Sequence, residues 1–409
     1  METAIFRSHV PIDRGSRTLL ATLALVAAAS TAGVAAAADE RANPVADPRV
    51  TTLLNRQAAA ARRMAAAQIA NLQRRLQALH GSDAACDRPA PPPPRAASAP
   101  PPPVERPAPA ALTLGEPPVA SRPTHASLPL ASCRRSDVGT AWTGGAIEIG
   151  SAKAEGQGFG FHSKGVTLGA DRGLGHGLTL GVGVGVARDQ DGSAAEGGAS
   201  TTDAVAAAAY LSYRPSNALF IDAIAGYGDL QMSSLRRLDD RISFSGERRG
   251  SEQYAALAAG YRLDVGGADL APYARFDALR ATLRGYTETD GGVDALRYQR
   301  QGVPALKVAV GVEGSSRIET RLGNLSPRGR VELRHEWDRT GAAPIGYADS
   351  ASSAYAVDAS ESARNAVTTG FGAKLALRDS WSFDAGYTAD FSSNARIDRF
   401  DFKLTRPLQ

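Results

Sequence analysis

The chain has 409 residues, a formal net charge of +4, a mean hydropathy of −0.22 and 6% aromatic residues. A helical membrane protein would be more hydrophobic, and beyond the N-terminus no stretch approaches the ~20 apolar residues that a spanning helix needs. The 46 basic and 42 acidic residues are interleaved, and without a basic block the chain is not expected to bind nucleic acid. The pI near 9.1 weakly favours an anionic partner such as lipopolysaccharide.

Residues 1–38 predict a signal peptide. Three arginines within the first 17 residues form a basic region, residues 19–26 form an apolar region, and Ala36-Ala37-Ala38 is a cleavage site. No cysteine stands at that site, so no lipoprotein anchor is predicted. A cytoplasmic protein with an Ala-rich helix is the alternative.

Residues 39–87 predict a short helical segment, with the helix over 51–80. Apolar residues recur there at intervals of three and four, with arginines among them. They are Leu54, Ala58, Ala61, Ala65, Leu72, Leu76 and Leu79. Because the stripe is mostly alanine, a lone helix would bury little surface. Either it self-associates or docks on another surface, or it stays a marginal, solvated helix.

Residues 88–139 predict a disordered, Pro-rich linker, since 15 of the 24 prolines lie within 89–129. Such a segment is extended and acts as a semi-rigid spacer. The two cysteines, Cys86 and Cys133, could form one disulfide around it in an exported protein, although the sequence does not fix their distance. With His80 and His125 they match no ligand spacing, so no metal is predicted.

From Trp142 to the end, apolar residues alternate with polar residues or glycines, as in β-strands. Val182, Val184 and Val186, for example, alternate with glycines. Twelve segments follow this pattern: 141–151, 158–171, 177–189, 201–214, 218–231, 248–264, 269–286, 302–318, 325–339, 364–378, 381–392 and 396–406. In the ninth segment, 325–339, the face opposite the apolar residues carries a row of charges: Arg330, Glu332, Arg334, Glu336 and Asp338.

The connections between these segments alternate in length. Those after the second, fourth, sixth and tenth are short turns. Those after the third, fifth, seventh and ninth are long and polar: 190–200, 232–247, 287–301 and 340–363. This asymmetry is typical of outer-membrane barrels, whose turns are periplasmic and whose loops lie outside.

The charged row supports the same fold, because a basic residue facing hydrocarbon costs about 2–4 kcal/mol. It is therefore expected to face the lumen. The sequence predicts an all-β fold, a twelve-stranded antiparallel transmembrane β-barrel over 140–409, preceded by a short helix and a Pro-rich disordered linker.

The sequence lacks the common catalytic motifs. There is no G-x-S-x-G elbow, no Gly-rich phosphate loop opening a helix and no H-E-x-x-H pair, so neither an enzyme nor a cofactor is predicted. The glycines of Gly181-Val-Gly-Val-Gly185 lie within a strand, where they let the barrel bend or face its lumen.

Three motifs in the strand region resemble the autotransporter β-domain, over roughly residues 140–406. They are Trp142-Thr-Gly-Gly, Tyr254-Ala-Ala-Leu-Ala-Ala-Gly260 and Gly329-Arg-Val-Glu-Leu-Arg-His-Glu336-Trp337. The resemblance implies a barrel inserted by the outer-membrane assembly machinery, with a helix through the pore joined to an exported passenger. It also implies an assembly signal on the last strand, where Phe400, Phe402 and Leu404 supply the apolar face. Residues 112–140, directly before the barrel, do not predict a pore helix.

Two functions follow from these predictions. The barrel could be an autotransporter translocator that anchors or exports the short segment 39–140. Alternatively, it could be a structural or channel-forming outer-membrane barrel whose helix and Pro-rich tether stay in the periplasm. A third alternative is a surface receptor that uses loops 232–247 and 340–363.

Overall fold

The computed structural model describes residues 41–82, 139–154, 157–193, 198–239, 241–290, 292–338, 341–350, 355–357, 365–377 and 381–408. The predicted signal peptide, the Pro-rich segment up to Val138 and both cysteines lie outside these residues. The proposed disulfide between Cys86 and Cys133 therefore stays a prediction.

Twelve long strands in the described residues form a closed antiparallel barrel. They are β1 (Thr140–Ala154), β2 (Gln157–Gly175), β3 (Leu178–Ser193), β4 (Gly198–Tyr213), β5 (Leu219–Arg237), β6 (Ser243–Tyr261), β7 (Ala268–Leu283), β8 (Gln301–Ser316), β9 (Gly323–Asp338), β10 (Asn365–Leu377), β11 (Ser382–Ser392) and β12 (Ala395–Pro407). Each strand pairs with the next, and β12 returns to β1 with Thr140 opposite Pro407. Closure pairs every strand edge, as a sheet in lipid requires. The predicted fold class is confirmed.

Alternation along the strands separates an outer apolar face from an inner face. On β3, Val182, Val184 and Val186 are exposed, whereas Gly183 and Gly185 between them are buried. The outer face of a membrane barrel meets lipid, so exposed valines are expected there. The inner face of the barrel carries the glycines, alanines and charges.

The strands extend further than predicted at one end of the barrel, here called the loop end; the opposite end is the turn end. β5 continues to Arg237 and β6 begins at Ser243, so the predicted loop 232–247 is mostly strand. The predicted loop 190–200 is similarly taken up by β3 and β4. The reason is tertiary: inward residues of these extensions, such as Met232 and Phe244, are buried inside the barrel.

The two remaining predicted loops contain a second, small sheet at the loop end. Its strands are Tyr286–Thr287, Leu296–Tyr298, Ala343–Tyr347 and Tyr355–Val357, and a 3-10 helix, Gly292–Asp294, lies between the first two. We call this sheet the lid. At the turn end, the short strands Leu263–Val265 and Ile318–Glu319 pair with β7 and β9.

One long helix, α1 (Pro48–Ser82), runs through the barrel after a 3-10 turn at Pro44–Ala46. Its 35 residues make it roughly 52 Å long. Asp47 caps it, accepting a hydrogen bond from the Arg49 N–H at 2.9 Å, and Pro suits the first helical position. Within the described residues, no helix combines the length and apolar character needed to cross a bilayer.

The helix predicted over 51–80 is confirmed, and of the alternatives for its surroundings it is docking on another surface that the structure shows. It is neither solvated, nor outside the barrel, nor a periplasmic tether, because it contacts β1 to β8 within the lumen. Each of the three buried apolar clusters contains residues of α1. The core of the protein therefore lies inside the barrel.

Candidate functional site: the occupied pore

The helix lies in a seat formed by glycines on β3. A Cβ atom added to Gly185 would lie 2.4 Å from the Gln68 amide nitrogen, and one added to Gly183 would lie 3.3 Å from Leu72 Cδ2. Any side chain at Gly185 would therefore force the Gln68 side chain to move. These glycines face the lumen, which was one of the two roles predicted for them.

Apolar and aromatic residues extend this seat towards the turn end. Ile69, Leu72 and Leu76 of the helix pack in one cluster with the strand residues Trp142, Tyr210, Ile224 and Tyr254. Within it, the Trp142 indole N–H donates to the Tyr210 oxygen at 2.6 Å, and the Tyr210 O–H donates to Asp171 at 2.7 Å. Both rings are thereby held against the helix.

Buried ion pairs join the helix to the inner wall. Arg63 contacts Asp189 at 2.6 Å and Asp191 at 2.8 Å. Arg75 makes a two-pronged pair with Asp171, at 2.6 and 2.8 Å. Arginine suits such bidentate pairing with carboxylates, and a buried carboxylate left without its cation is strongly destabilising. These pairs fix both the rotation and the depth of the helix.

Barrel side chains also hydrogen-bond to the C-terminal turn of the helix. The last carbonyl groups of a helix have no partner within it. Here Arg214 donates to the Leu79 oxygen at 3.2 Å, and Arg262 donates to the His80 oxygen. The His80 ring lies 3.0 Å from Asp222. The helix therefore ends at the turn end, held by side chains next to the barrel turns.

The lid closes over the N-terminal end of the helix. Val50 and Leu54 pack with apolar lid residues, namely Tyr286, Leu296, Tyr298, Ala343, Ile345, Tyr347 and Val357. Arg41 pairs with Asp349 at 2.6 Å, and its guanidinium lies 3.9 Å from the centre of the Tyr347 ring. Arg41, which precedes the helix, is thus bound to residues at the loop end.

Below the lid, an apolar layer packs between the helix and the strands β3, β4, β5, β7 and β8. Its helix residues are Ala58, Ala61 and Met64, and its strand residues are Ala187, Ala204, Leu230, Met232, Ala281, Leu283 and Val303. Met232, Leu283 and Val303 have no exposed surface. We call this layer the seal, because close-packed apolar side chains leave no room for water.

Between the seal and the turn end, a cavity separates one helix face from β7 to β12. The helix residues Arg62, Ala66, Ala70, Gln73 and Gln77 line it. Two adjoining parts of this cavity share Arg330 and Arg399 in their walls, and the empty space in them, open solvent included, is about 660 and 440 Å³. It continues past Gln77 to residues at the turn end such as Arg317 and Asn324.

Much of the predicted charged row lies on the wall of the cavity. Arg330, Glu332 and Arg334 line the cavity, and Glu332 accepts hydrogen bonds from Arg275 and Tyr273 at 2.7 to 3.1 Å. Glu336 pairs with Lys307 at 3.3 Å. The side chain of Asp338 lies outside the described residues.

The predicted assembly residues lie elsewhere, on the outer face of β12. Phe400 and Phe402 are 52% and 42% exposed, and Leu404 is half-buried. Their role in assembly stays a prediction. In the described part of the chain, no group of three or more His, Cys, Asp or Glu residues could hold a metal ion.

Sequence reasoning missed the residues that hold the helix. The signal was present: Arg63 and Arg75 recur along the helix, and Asp171, Asp189 and Asp191 stand at inward strand positions. Without the fold, nothing paired these two sets with each other.

The family model named Autotransporter beta-domain matches residues 141–388, which is more than half of the chain. The chain belongs to the autotransporter β-domain family. The family places the barrel in the bacterial outer membrane. No curated protein sequence matches the chain.

Solved translocator structures share the fold. The translocator domain of the autotransporter NalP from Neisseria meningitidis is 14% identical, with a TM-score of 0.55, covering 66% of this chain and 88% of that one. The β-domain of the Bordetella autotransporter BrkA is 16% identical, with a TM-score of 0.52 and coverages of 66% and 99%. The transport unit of AIDA-I from Escherichia coli has the same identity and TM-score, with coverages of 66% and 90%. At these identities the likeness concerns the fold alone.

Proposed function

We propose that this autotransporter-type barrel carries its own N-terminal segment 41–82 through the pore to the loop end and retains it there as a plug. The direction of α1 supports the proposal: the helix begins beneath the lid and ends beside Arg214 and Arg262 at the turn end. Strand β1 also begins at the turn end, where Gly139 and Thr140 lie. The segment is anchored inside the barrel, and the role is not catalytic.

Cysteine labelling tests the direction of the helix. In a background with Cys86 and Cys133 changed to Ser, Ala42→Cys places a thiol beside the lid and Ala78→Cys places one at the turn-end cavity. A membrane-impermeant maleimide added to intact cells should label Ala42→Cys only. Ala78→Cys should be labelled only after the outer membrane is permeabilised. Protection of Ala42→Cys in intact cells, with labelling after permeabilisation, would contradict the proposal.

The cavity beside the helix favours a second candidate function, a channel that opens when α1 moves. The cavity reaches from Arg62 to the turn end, and the seal and the lid lie on the loop-end side of it. In planar bilayers, deletion of residues 41–82 should convert a closed barrel into an open pore. Equal conductance with and without the segment would contradict both the channel and the plug.

A further inference from the structure

Four arginines on the outside of the barrel form a group that the pore does not involve. They are Arg249, Arg280, Arg284 and Arg300, all exposed, and we call them the outer arginine patch. Each is next in sequence to a residue buried inside the barrel: Arg248, Ala281, Leu283 and Gln301, respectively. Because neighbouring residues of a strand point to opposite faces, the four arginines point outward.

The strand register brings them together on β6, β7 and the start of β8. The Arg284 N–H donates to the Arg249 carbonyl oxygen at 2.8 Å, so these two residues are direct neighbours. Gln301 pairs with Leu283, which places Arg300 beside Arg284. Arg280 faces outward on β7, two residues before the next outward residue of that strand, Thr282. The side chains at the adjacent positions 249, 284 and 300 lie within about 5–8 Å of one another, whereas Arg280 lies four residues along the chain from Arg284, roughly 13 Å away.

The patch stands just above the apolar belt. On the same face, Ala278, Leu306 and Trp337 form one cross-strand row, and Trp337 is half exposed. An aromatic residue at the edge of the apolar band marks the membrane interface. With a rise of 3.3 Å per residue and a tilt of about 40°, Arg280 lies ~5 Å and Arg284 ~15 Å beyond that row. The patch therefore spans the headgroup layer at the loop end.

The charge of the patch is not balanced within the described residues. None of the four side chains makes a hydrogen bond or an ion pair with them. Arg188, also exposed on the outer face, is different: it pairs with Asp203 at 2.6 Å. The carboxylates on the outer face of β5 and β6 are Asp229, which accepts from Tyr227, and Glu247, two residues beyond Arg249. Like charges at adjacent strand positions repel, so a bound anion would reduce the repulsion between the arginines.

We propose that the outer arginine patch binds phosphate groups of the lipopolysaccharide headgroup in the outer leaflet. Guanidinium groups match phosphate oxygens with paired N–H donors and remain charged at any physiological pH. The apolar belt below the patch would meet the acyl chains of the same lipid. This site lies on the lipid-facing surface and does not depend on the position of α1.

The test compares binding of fluorescent lipid A to the detergent-purified full chain and to the variant R249Q/R280Q/R284Q/R300Q. Near a charged lipid surface each basic residue contributes roughly a fivefold change in affinity, so the variant should bind at least about tenfold more weakly at low salt. The matched control is Arg188→Gln, which removes an outward arginine that already has a partner. It should bind like the parent chain.

Two further probes distinguish the source of the phosphate. Dephosphorylated lipid A should bind the parent chain as weakly as the variant binds lipid A. Inorganic phosphate at the same phosphate concentration should not displace lipid A; displacement would mean a free-anion site and overturn the proposal. Equal affinity of parent and variant would also overturn it. Heat-modifiable mobility on gels confirms folded barrels, and R284Q/R300Q replaces the quadruple variant if that does not fold.

Discussion

The two halves of the barrel wall balance their inward charges in different ways. On β2, β3 and β5, the carboxylates of Asp171, Asp189, Asp191 and Asp222 pair with basic residues of the helix. On β7 to β12, most pairs form within the wall, as between Arg275 and Glu332 or Arg328 and Asp384. Asp401, which contacts Arg74 of the helix, is an exception.

This difference indicates which half recognises the helix. The charges of these carboxylates are balanced by basic residues only when α1 is in place, whereas most charges of the opposite wall are paired within that wall. The helix makes its most extensive contacts with β4 and β5, on the recognising side. The other side instead borders the cavity. The pore thus combines a specific seat with a wall that borders the cavity and forms most of its ion pairs within itself.

The largest effect is expected for Arg63→Ala. It leaves Asp189 and Asp191 buried without their cation, which should cost about 3–5 kcal/mol of unfolding free energy. Urea unfolding of the barrel in detergent measures the loss. Adding Asp189→Ala and Asp191→Ala to the variant should recover part of it, and no recovery would show that the pair does not hold the helix.

A smaller effect is expected for Gly185→Val, which places a side chain where Gln68 lies. Overpacking of this kind costs about 1–3 kcal/mol. The matched control is Gly302→Val, because a Cβ atom at Gly302 meets nothing within 4 Å. The same urea titration should separate the two variants. Equal stability would mean that β3 does not form a tight seat.

Tyr210→Phe should cost about 1–2 kcal/mol, because it removes the hydroxyl that links Trp142 to Asp171. The ring and its packing remain. Tryptophan fluorescence in a background with Trp337 and Trp381 changed to Phe, compared with that of a Tyr227→Phe control on the outer face, should report the loss of the hydrogen bond. An unchanged spectrum and an unchanged stability would mean that this hydroxyl does not help to hold the helix in its seat.

The smallest effect is expected on the self-paired wall. Lys307→Gln removes the partner of Glu336 beside the cavity, where water can replace it. The cost should be about 1 kcal/mol or less, as for other hydrated pairs. A loss as large as that of Arg63→Ala would mean that the two walls do not differ.

The sequence predicted the strands well where alternation was regular, as in Val182 to Val186, and it predicted the helix from the spacing of Leu72, Leu76 and Leu79. It failed at the loop end. Polar composition suggested loops over 232–247, but Met232 and Phe244 are buried inside the barrel, so both strands continue. Composition cannot show that a polar strand has something to pack against.

By itself, the sequence determined the period of the strands, their number, the membrane-facing side and the existence of a helix, because each depends on residues close together in the chain. Only the tertiary structure decided where the helix lies. Pairing Arg63 with Asp189, or Gln68 with Gly185, joins residues more than 100 positions apart, and that choice requires a closed barrel whose lumen one helix fits. The seat, the seal and the lid all follow from that closure.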